Sequence, residues 1–397
     1  MEFFSFMFKK TIRDLDLRGK RVLVRVDYNV SLSNDFRIGD DLRIKQTLPT
    51  LEYLLAQNCT LFLISHLGRP EGKVDPSLSL EPVRAYLEKL IAKPVALIKD
   101  YIDGTGKAEV KAAQPGSVNL LENIRFYPEE EANDPGFSQK LAALGEVFVN
   151  DAFGVCHRTH ASTVGMTKFL PSVAGLLLEK EVDLITQAVG EPKRPLVVIV
   201  GGAKAETKIP LIESLLPKAD TILVGGGVAN TFLLAQGHNL GKSMAEPALV
   251  EKAKAILQQG QNKIILPADV VVGDLEKGSY EGVVALDQVP ENLSVLDLGP
   301  KTEVEFGKII EEAQTIIWNG PMGLFEKPAF ARGTEFVYQA IAENRDSLSI
   351  VGGGETLTAL PKEEYLGTID HVSTGGGAML EFIEKGTLPG IDALLDK

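Results

Sequence analysis

Charged side chains follow short apolar runs in the first half of this chain: Asp27 and Asn29 after Arg21–Val26, His66 and Arg69 after Thr60–Ile64, Arg125 after Ser117–Leu121, and His157, Arg158 and His160 after Val147–Val149. In the second half the same positions carry glycine: Gly201-Gly202-Ala203-Lys204, Gly225-Gly226-Gly227, Gly320-Pro321-Met322-Gly323, Gly352-Gly353-Gly354 and Gly375-Gly376-Gly377. Arginine forks match a compact anion such as a phosphate. Glycines ahead of helices let backbone N–H groups approach phosphate oxygens closely. A basic pocket in one half and a glycine-lined nucleotide pocket in the other suggest phosphoryl transfer. A single arginine is usually a solvated side chain and a single glycine pair a turn, so the weight lies in their repeated placement after apolar runs.

Common nucleotide signatures are absent. Gly237-His238-Asn239-Leu240-Gly241-Lys242-Ser243 has one residue too few between its glycines for a Walker A loop. No G-x-G-x-x-G follows an apolar run, and Asp151-Ala152-Phe153-Gly154 has no kinase catalytic loop before it. Cys156-His157-Arg158-Thr159-His160 lacks the second ligand cluster that zinc requires. Positively biased imidazoles and an arginine beside a bound phosphate are the expected use of that loop.

The elements that must position these residues alternate. Further apolar runs cover Leu196–Val200, Thr221–Val224, Lys263–Leu266, Thr315–Trp318 and Ser349–Val351, and helical periodicity covers Leu80–Ile91 and Pro247–Gln258. Apolar strands alternating with helices predict an α/β fold whose parallel sheets are covered by helices on both faces. Ligands then bind beyond the carboxyl ends of the strands. Lys204 and Lys208, four apart, are expected on one face of a helix start.

A chain of 397 residues exceeds one ordinary domain. Glu179–Val189 reads as a helix, and Gly190-Glu191-Pro192-Lys193-Arg194-Pro195 makes a linker after it, so domains of 1–189 and 190–387 are expected. With 44% hydrophobic and 24% charged residues the chain is an ordinary globular one. Its net charge of -13 argues against nucleic-acid partners. The two cysteines, Cys59 and Cys156, suit a reducing cytosol. The apolar start MEFFSFMFKK places its lysines after the apolar stretch, the wrong order for a signal peptide, so a weak tether or a start at Met7 is expected. No apolar stretch approaches the roughly 20 residues of a membrane span.

The chain resembles the phosphoglycerate kinase family over essentially its whole length. The residues that carry the resemblance are Arg25-Val26-Asp27-Tyr28-Asn29-Val30, Ser65-His66-Leu67-Gly68-Arg69-Pro70, Glu122-Asn123-Ile124-Arg125-Phe126 and Asn150-Asp151-Ala152-Phe153-Gly154 with His157-Arg158. Gly201-Gly202-Ala203-Lys204, Trp318-Asn319-Gly320-Pro321-Met322-Gly323, Phe325-Glu326, Gly352-Gly353-Gly354 and Ser373-Thr374-Gly375-Gly376-Gly377 continue it in family order. The resemblance implies two lobes that close by hinge bending, triose in the first and nucleotide in the second. It also implies that residues from about 388 to 397 return to the first lobe. By motif position it implies that Asp27, Asn29, Arg43, His66, Arg69, Arg125 and Arg158 bind the triose, 3-phosphoglycerate or 1,3-bisphosphoglycerate. Lys204, Lys208, Gly299, Asn319, Glu326 and the loop of Gly352, Gly353, Gly354, Glu355 and Thr356 would bind ADP or ATP with its Mg²⁺. A cytoplasmic monomer fits the family.

Some positions depart from the usual pattern. Glu355 stands where the family commonly has aspartate, Ser31 replaces a usual proline, and Ala205-Glu206-Thr207 differs from the common spacer between the lysines. The implied reaction joins a carboxylate leaving group and a phosphate acceptor, both anions at pH 7, so it needs no general base. Positioning and electrostatic stabilisation remain, assigned to Arg43, Lys204, Lys208 and backbone amides around Gly376. A kinase or ligase of another acid is the alternative enzyme. A nucleotide-responsive binding protein is the non-enzymatic one.

Overall fold

A computed structural model describes residues 9–33, 35–359 and 366–397. The apolar start and the choice between Met1 and Met7 lie outside the described residues. Two compact units are present, one from the chain up to Asp183 together with Lys385–Lys397, the other Leu184–Glu384.

In the first unit β1 (Arg21–Arg25), β2 (Thr60–Ile64), β3 (Val95–Ile98), β4 (Val118–Leu121), β5 (Val147–Asn150) and β6 (Ser172–Ala174) form one six-stranded sheet in the order β3-β4-β2-β1-β5-β6. Every pairing in it is parallel. Strands β2, β4 and β5 are buried at every residue, which is why they read as unbroken apolar runs. Helices such as Glu81–Ile91, with Val83 and Leu87 buried, cover the sheet. The four adjacent strands β4, β2, β1 and β5 lead directly into Arg125, His66, Asp27 and the Arg158 loop.

Residues after Lys385 complete this unit. Leu395 N–H donates to the Ser172 carbonyl at 2.9 Å and Gly390 N–H to the Cys156 carbonyl at 2.8 Å. Lys9, almost fully buried, donates from Nζ to the carbonyls of Asp392 at 3.0 Å and Leu394 at 2.9 Å.

The second unit contains β7 (Leu196–Val200), β8 (Thr221–Val224), β9 (Ile264–Ile265), β10 (Asp269–Asp274), β11 (Ser279–Ala285), β12 (Ser294–Leu298), β13 (Thr315–Asn319), β14 (Leu348–Gly352) and β15 (His371–Val372). Its six-stranded parallel sheet runs β15-β14-β13-β7-β8-β9. The glycine segments follow five adjacent strands, and helices begin at Gly226, Gly354 and Gly376. The expected α/β class with parallel sheets is borne out.

A three-stranded antiparallel sheet, β11-β10-β12, was not anticipated. Strand β11 alternates polar and half-exposed residues rather than forming an apolar run. Strand β3, four residues at the sheet edge with Ala96 exposed, and the two-residue β15 escaped because they are short. The helix read as Glu179–Val189 spans Leu176–Gly190.

Candidate active site

In the first unit the strand ends bring most of the predicted anion-binding residues together. Arg43, on the short helix Leu42–Gln46, places Nη1 2.9 Å from the Asn29 carbonyl oxygen and 3.2 Å from Asp27 Oδ2. Asn29 Oδ1 accepts from Gly68 N–H at 2.9 Å, and Arg125 Nη1 donates to the Gly68 carbonyl at 2.8 Å. The loop after β2 is thereby held at both faces of one peptide residue. Arg125 is itself aligned by Asn123, whose Oδ1 accepts the Arg125 N–H at 3.1 Å, and by Glu131 at 3.1 Å from its Nε.

His66 lies buried among these groups. Burial first, and then the charges of Arg25, Arg125, Arg43 and Arg158, hold its pKa well below the ordinary value. His160 is pushed down to about 4 by burial and then by Arg125, Arg25 and Arg158. Both shifts favour the neutral imidazole; for His160 this runs against the expectation of a positively biased imidazole in its loop, because the arginines already supply the charge and a further cation beside them is disfavoured. Arg69 is exposed beside Gly68.

In the second unit a pocket of about 430 Å³ is lined by Lys204, Lys208, Asn319, Gly353–Thr356 and Gly376-Gly377. Lys208 Nζ donates to Asn319 Oδ1, and Asn319 Nδ2 donates to the Gly352 carbonyl at 2.9 Å. Thr356 Oγ1 accepts Gly320 N–H at 2.7 Å, fastening the loop after β13 to the loop after β14. Burial lowers the Lys208 pKa, opposed by the carboxylate of Glu355. Gly320 has φ of +96° and a Cβ there would stand 2.2 Å from the Gly201 carbonyl oxygen, so only glycine permits this approach.

Lys204 and Lys208 share the pocket but not a helix. The helix is Ile209–Leu215, Lys208 is its cap and Lys204 lies in the preceding loop. Pro210, suited only to a first turn, sets that late start.

A second, more apolar pocket adjoins the first through Ala203 and Glu355, which line both. Its walls include Val270, Leu296, Leu298, Met244 and Met322, with Asn230 and Glu326 among its polar groups. Sequence reasoning reached its glycines, their motif neighbours, Glu326 and Glu355, but not Val270, Leu296, Leu298, Met244 or Asn230. The apolar wall comes from β10, β12 and the loop around Met244, residues that look like ordinary core. Gly299 lines neither pocket; it caps the helix Pro300–Glu312 against the Asp269 carboxylate. The segment Gly237–Ser243 also lines neither, and Gly241 packs on backbone at Pro290 and Leu293.

Among the described residues no group of three or more His, Cys, Asp or Glu is placed to hold a metal ion. Glu355 is a carboxylate on the wall of the glycine-lined pocket. One carboxylate beside phosphates suits Mg²⁺, which retains several waters and rarely uses an all-protein cage.

Comparison with known proteins gives one family. The phosphoglycerate kinase family model matches residues 12–386. The phosphoglycerate kinase of Moorella thermoacetica is 49% identical over 395 residues, covering 98% of this chain and 100% of that protein. That of Pelotomaculum thermopropionicum is 46% identical over the same shares. The structure of phosphoglycerate kinase from Coxiella burnetii superposes with a TM-score of 0.86 at 41% identity, covering 97% of this chain and 98% of that one. That from Pyrococcus horikoshii gives 0.85 at 32% identity, with the same coverage.

Proposed function

The chain belongs to the phosphoglycerate kinase family, and from that premise we propose how its residues divide the reaction. The enzyme transfers a phosphoryl group between 1,3-bisphosphoglycerate and ADP, giving 3-phosphoglycerate and ATP. Asp27, Asn29, His66, Arg125 and Arg158 hold the triose in the first unit, with Arg69 reaching it from the exposed loop. The nucleotide occupies the second unit, its phosphates in the pocket of Lys204, Lys208 and Gly353–Thr356, its nucleoside against the apolar wall and Glu326. Gly352 ends β14 just ahead of the phosphate loop, and Gly299 follows Leu298 of the apolar wall at the start of the helix Pro300–Glu312.

The observation that carries this division is the joining of an apolar pocket to a glycine-lined one through Ala203 and Glu355. A base needs the first surface and phosphates the second.

Both the carboxylate leaving group and the phosphate acceptor are anions, so no proton transfer is required. The residues must instead gather and align negative charge. Arg43 is held on the Asn29 carbonyl and Asp27, ready to stabilise charge on the transferring group. Lys208 is tethered by Asn319, which limits the reorganisation its ammonium needs. Lys204 and the backbone N–H groups near Gly376 act on the same phosphates. Glu355 is the residue here that would hold a nucleotide-bound Mg²⁺, directly or through water. Such an ion would supply charge neutralisation on the phosphates.

Cys59 and Cys156 are free and buried, which supports a reducing, cytoplasmic setting. No helix among the described residues is long and apolar enough to cross a membrane. A monomer is the assembly proposed, and sedimentation would check it. A coupled assay with 3-phosphoglycerate and ATP tests the whole reading. Turnover with that acid but not with acetate is expected. Equal turnover with acetate would replace the reading by a kinase of another acid.

A further inference from the structure

Three polar residues behind the triose site are used by no step above. Glu130 is fully buried, and its carboxylate accepts from Ser162 Oγ at 2.6 Å and from Ser162 N–H at 2.9 Å. Ser162 is also fully buried and accepts from Arg25 Nε at 2.8 Å. A serine hydroxyl carries one proton. Arg25 can only donate, so Oγ turns a lone pair to Arg25 and its proton to Glu130. Arg25 is 1% exposed and lies at the end of β1. Its Nη1 donates to the Val26 carbonyl, and its Nη2 stands 3.3 Å from His66 Nδ1.

An arginine can only donate. Nδ1 of His66 must therefore offer its lone pair to Arg25. The alternative tautomer would aim an imidazole N–H at a guanidinium N–H. Asp27 Oδ1 lies 3.7 Å from Nδ1, too far for a hydrogen bond, and the other carboxylate oxygen is engaged by Arg43. The charges that act most strongly on the ring, Arg25, Arg125, Arg43 and Arg158, are all cations. Among the described residues nothing accepts a hydrogen bond from Nε2.

We propose that Glu130, acting through Ser162 and Arg25, fixes His66 as the neutral imidazole with its proton on Nε2. His66 thus offers the triose a hydrogen-bond donor that does not titrate across the physiological range. Glu130, Ser162 and Arg25 are positioning residues. The carboxylate also offsets part of the positive charge gathered above it, which lets a buried arginine stay fixed without a ligand. The use of that donor by the triose rests on the division of substrates proposed above; the tautomer does not.

The test is a long-range ¹⁵N–¹H correlation spectrum of the free, full-length protein, with His66→Gln to assign the signals. A protonated Nε2, an unprotonated Nδ1 and no titration between pH 5.5 and 8.5 are expected. A proton on Nδ1, or an imidazolium in that range, would overturn the proposal. Ser162→Ala should then give mixed tautomers and raise the KM for 3-phosphoglycerate about fivefold, with the KM for ATP unchanged, as for one lost positioning hydrogen bond. Glu130→Gln should move the same signals the same way. A pure Nε2–H tautomer in a folded Ser162→Ala protein would remove Glu130 and Ser162 from the mechanism. Failure of 3-phosphoglycerate to perturb His66 would reject the substrate assignment alone.

Discussion

The guanidinium of Arg43 stands 3.2 Å from the carboxylate of Asp27, a side chain only 8% exposed, while Arg43 itself is 26% exposed. One partner is anchored in the sheet end and the other reaches to the surface. Arg43→Ala should cut turnover about a hundredfold, as for loss of one preorganised donor. The melting temperature should fall only about 2–4 °C, the value of roughly 1 kcal/mol in a unit of this size. Near-normal turnover would remove Arg43 from the mechanism.

Arg69 and Arg125 sit on either side of Gly68 and differ in burial. Arg69 is exposed, so Arg69→Ala should weaken 3-phosphoglycerate binding without loss of stability. Arg125→Ala should do both, because it frees the Gly68 carbonyl from a buried donor. Neither should change ADP affinity beyond about twofold, since the two ligands are assigned to separate units and share no residue. Calorimetry with each ligand gives the answer, and a reversed selectivity would sink the division of substrates.

Glu355→Gln retains size and removes charge. A metal-holding role predicts a clearly higher Mg²⁺ requirement with little change in melting temperature. A carboxylate that only complements a helix start contributes about 0.3–1 kcal/mol. In that case the Mg²⁺ titration stays as it was and stability drops slightly.

His160 has a folded pKa of about 4 against an ordinary 6.5. Between those values the unfolded chain takes up a proton that the native protein refuses. This contribution is therefore complete above pH 6.5 and is lost as pH falls towards 4. Asp151 and Asp297, both raised to about 7 by burial, act oppositely. They lose stability as pH rises from 3.8 towards 7, and so mask the histidine in the wild-type profile. His160→Gln should gain stability relative to wild type as pH falls from 6.5 to 4, measured by denaturant unfolding. A difference that stays constant with pH would reject the shift.

Met244 is 56% exposed on the apolar pocket, whereas Met166, Met322 and Met379 are at most 1% exposed. Hydrogen peroxide should convert its thioether to the sulfoxide, itself reduced to water, ahead of those three. A polar sulfoxide on that wall should raise the ADP dissociation constant about threefold to tenfold. Bound ADP should slow the oxidation, and Met244→Leu should be immune to the affinity loss. Peptide mapping that finds Met322 oxidised first would refute the ranking.

The strand ends were legible because strands buried on both faces are unbroken apolar runs, and the charged or glycine residues just beyond them stand out. The same contrast hid Arg25, whose place at the end of β1 made it look like strand rather than site. Glu130 and Ser162 are far apart in sequence and meet where the 161–162 backbone packs on Glu130, Ala161 N–H bonding its carbonyl at 3.0 Å and Ser162 N–H its carboxylate at 2.9 Å. No local spacing encodes that. The apolar nucleotide wall was illegible for a different reason: Val270, Leu296 and Leu298 have the side chains of core residues, and only tertiary placement leaves one face open. Lys204 and Lys208 line one pocket although the helix expected to carry both starts only at Ile209, since a turn and a helix can present residues four apart to the same space.

The first unit draws β6 and the Cys156 loop into contact with residues beyond Lys385, while the second unit is one uninterrupted stretch. Synthesis runs from the amino end, and domains generally fold as they emerge. Here the order of completion is inverted. Leu184–Glu384 has its whole complement of strands before the ribosome has made Gly390 or Leu395. The unit begun first must wait, with the edge at Ser172 and the Cys156 carbonyl unpaired, until the second is already made. Its nascent form is therefore the state most exposed to misassembly, and the short segment 385–397 is what ends that exposure.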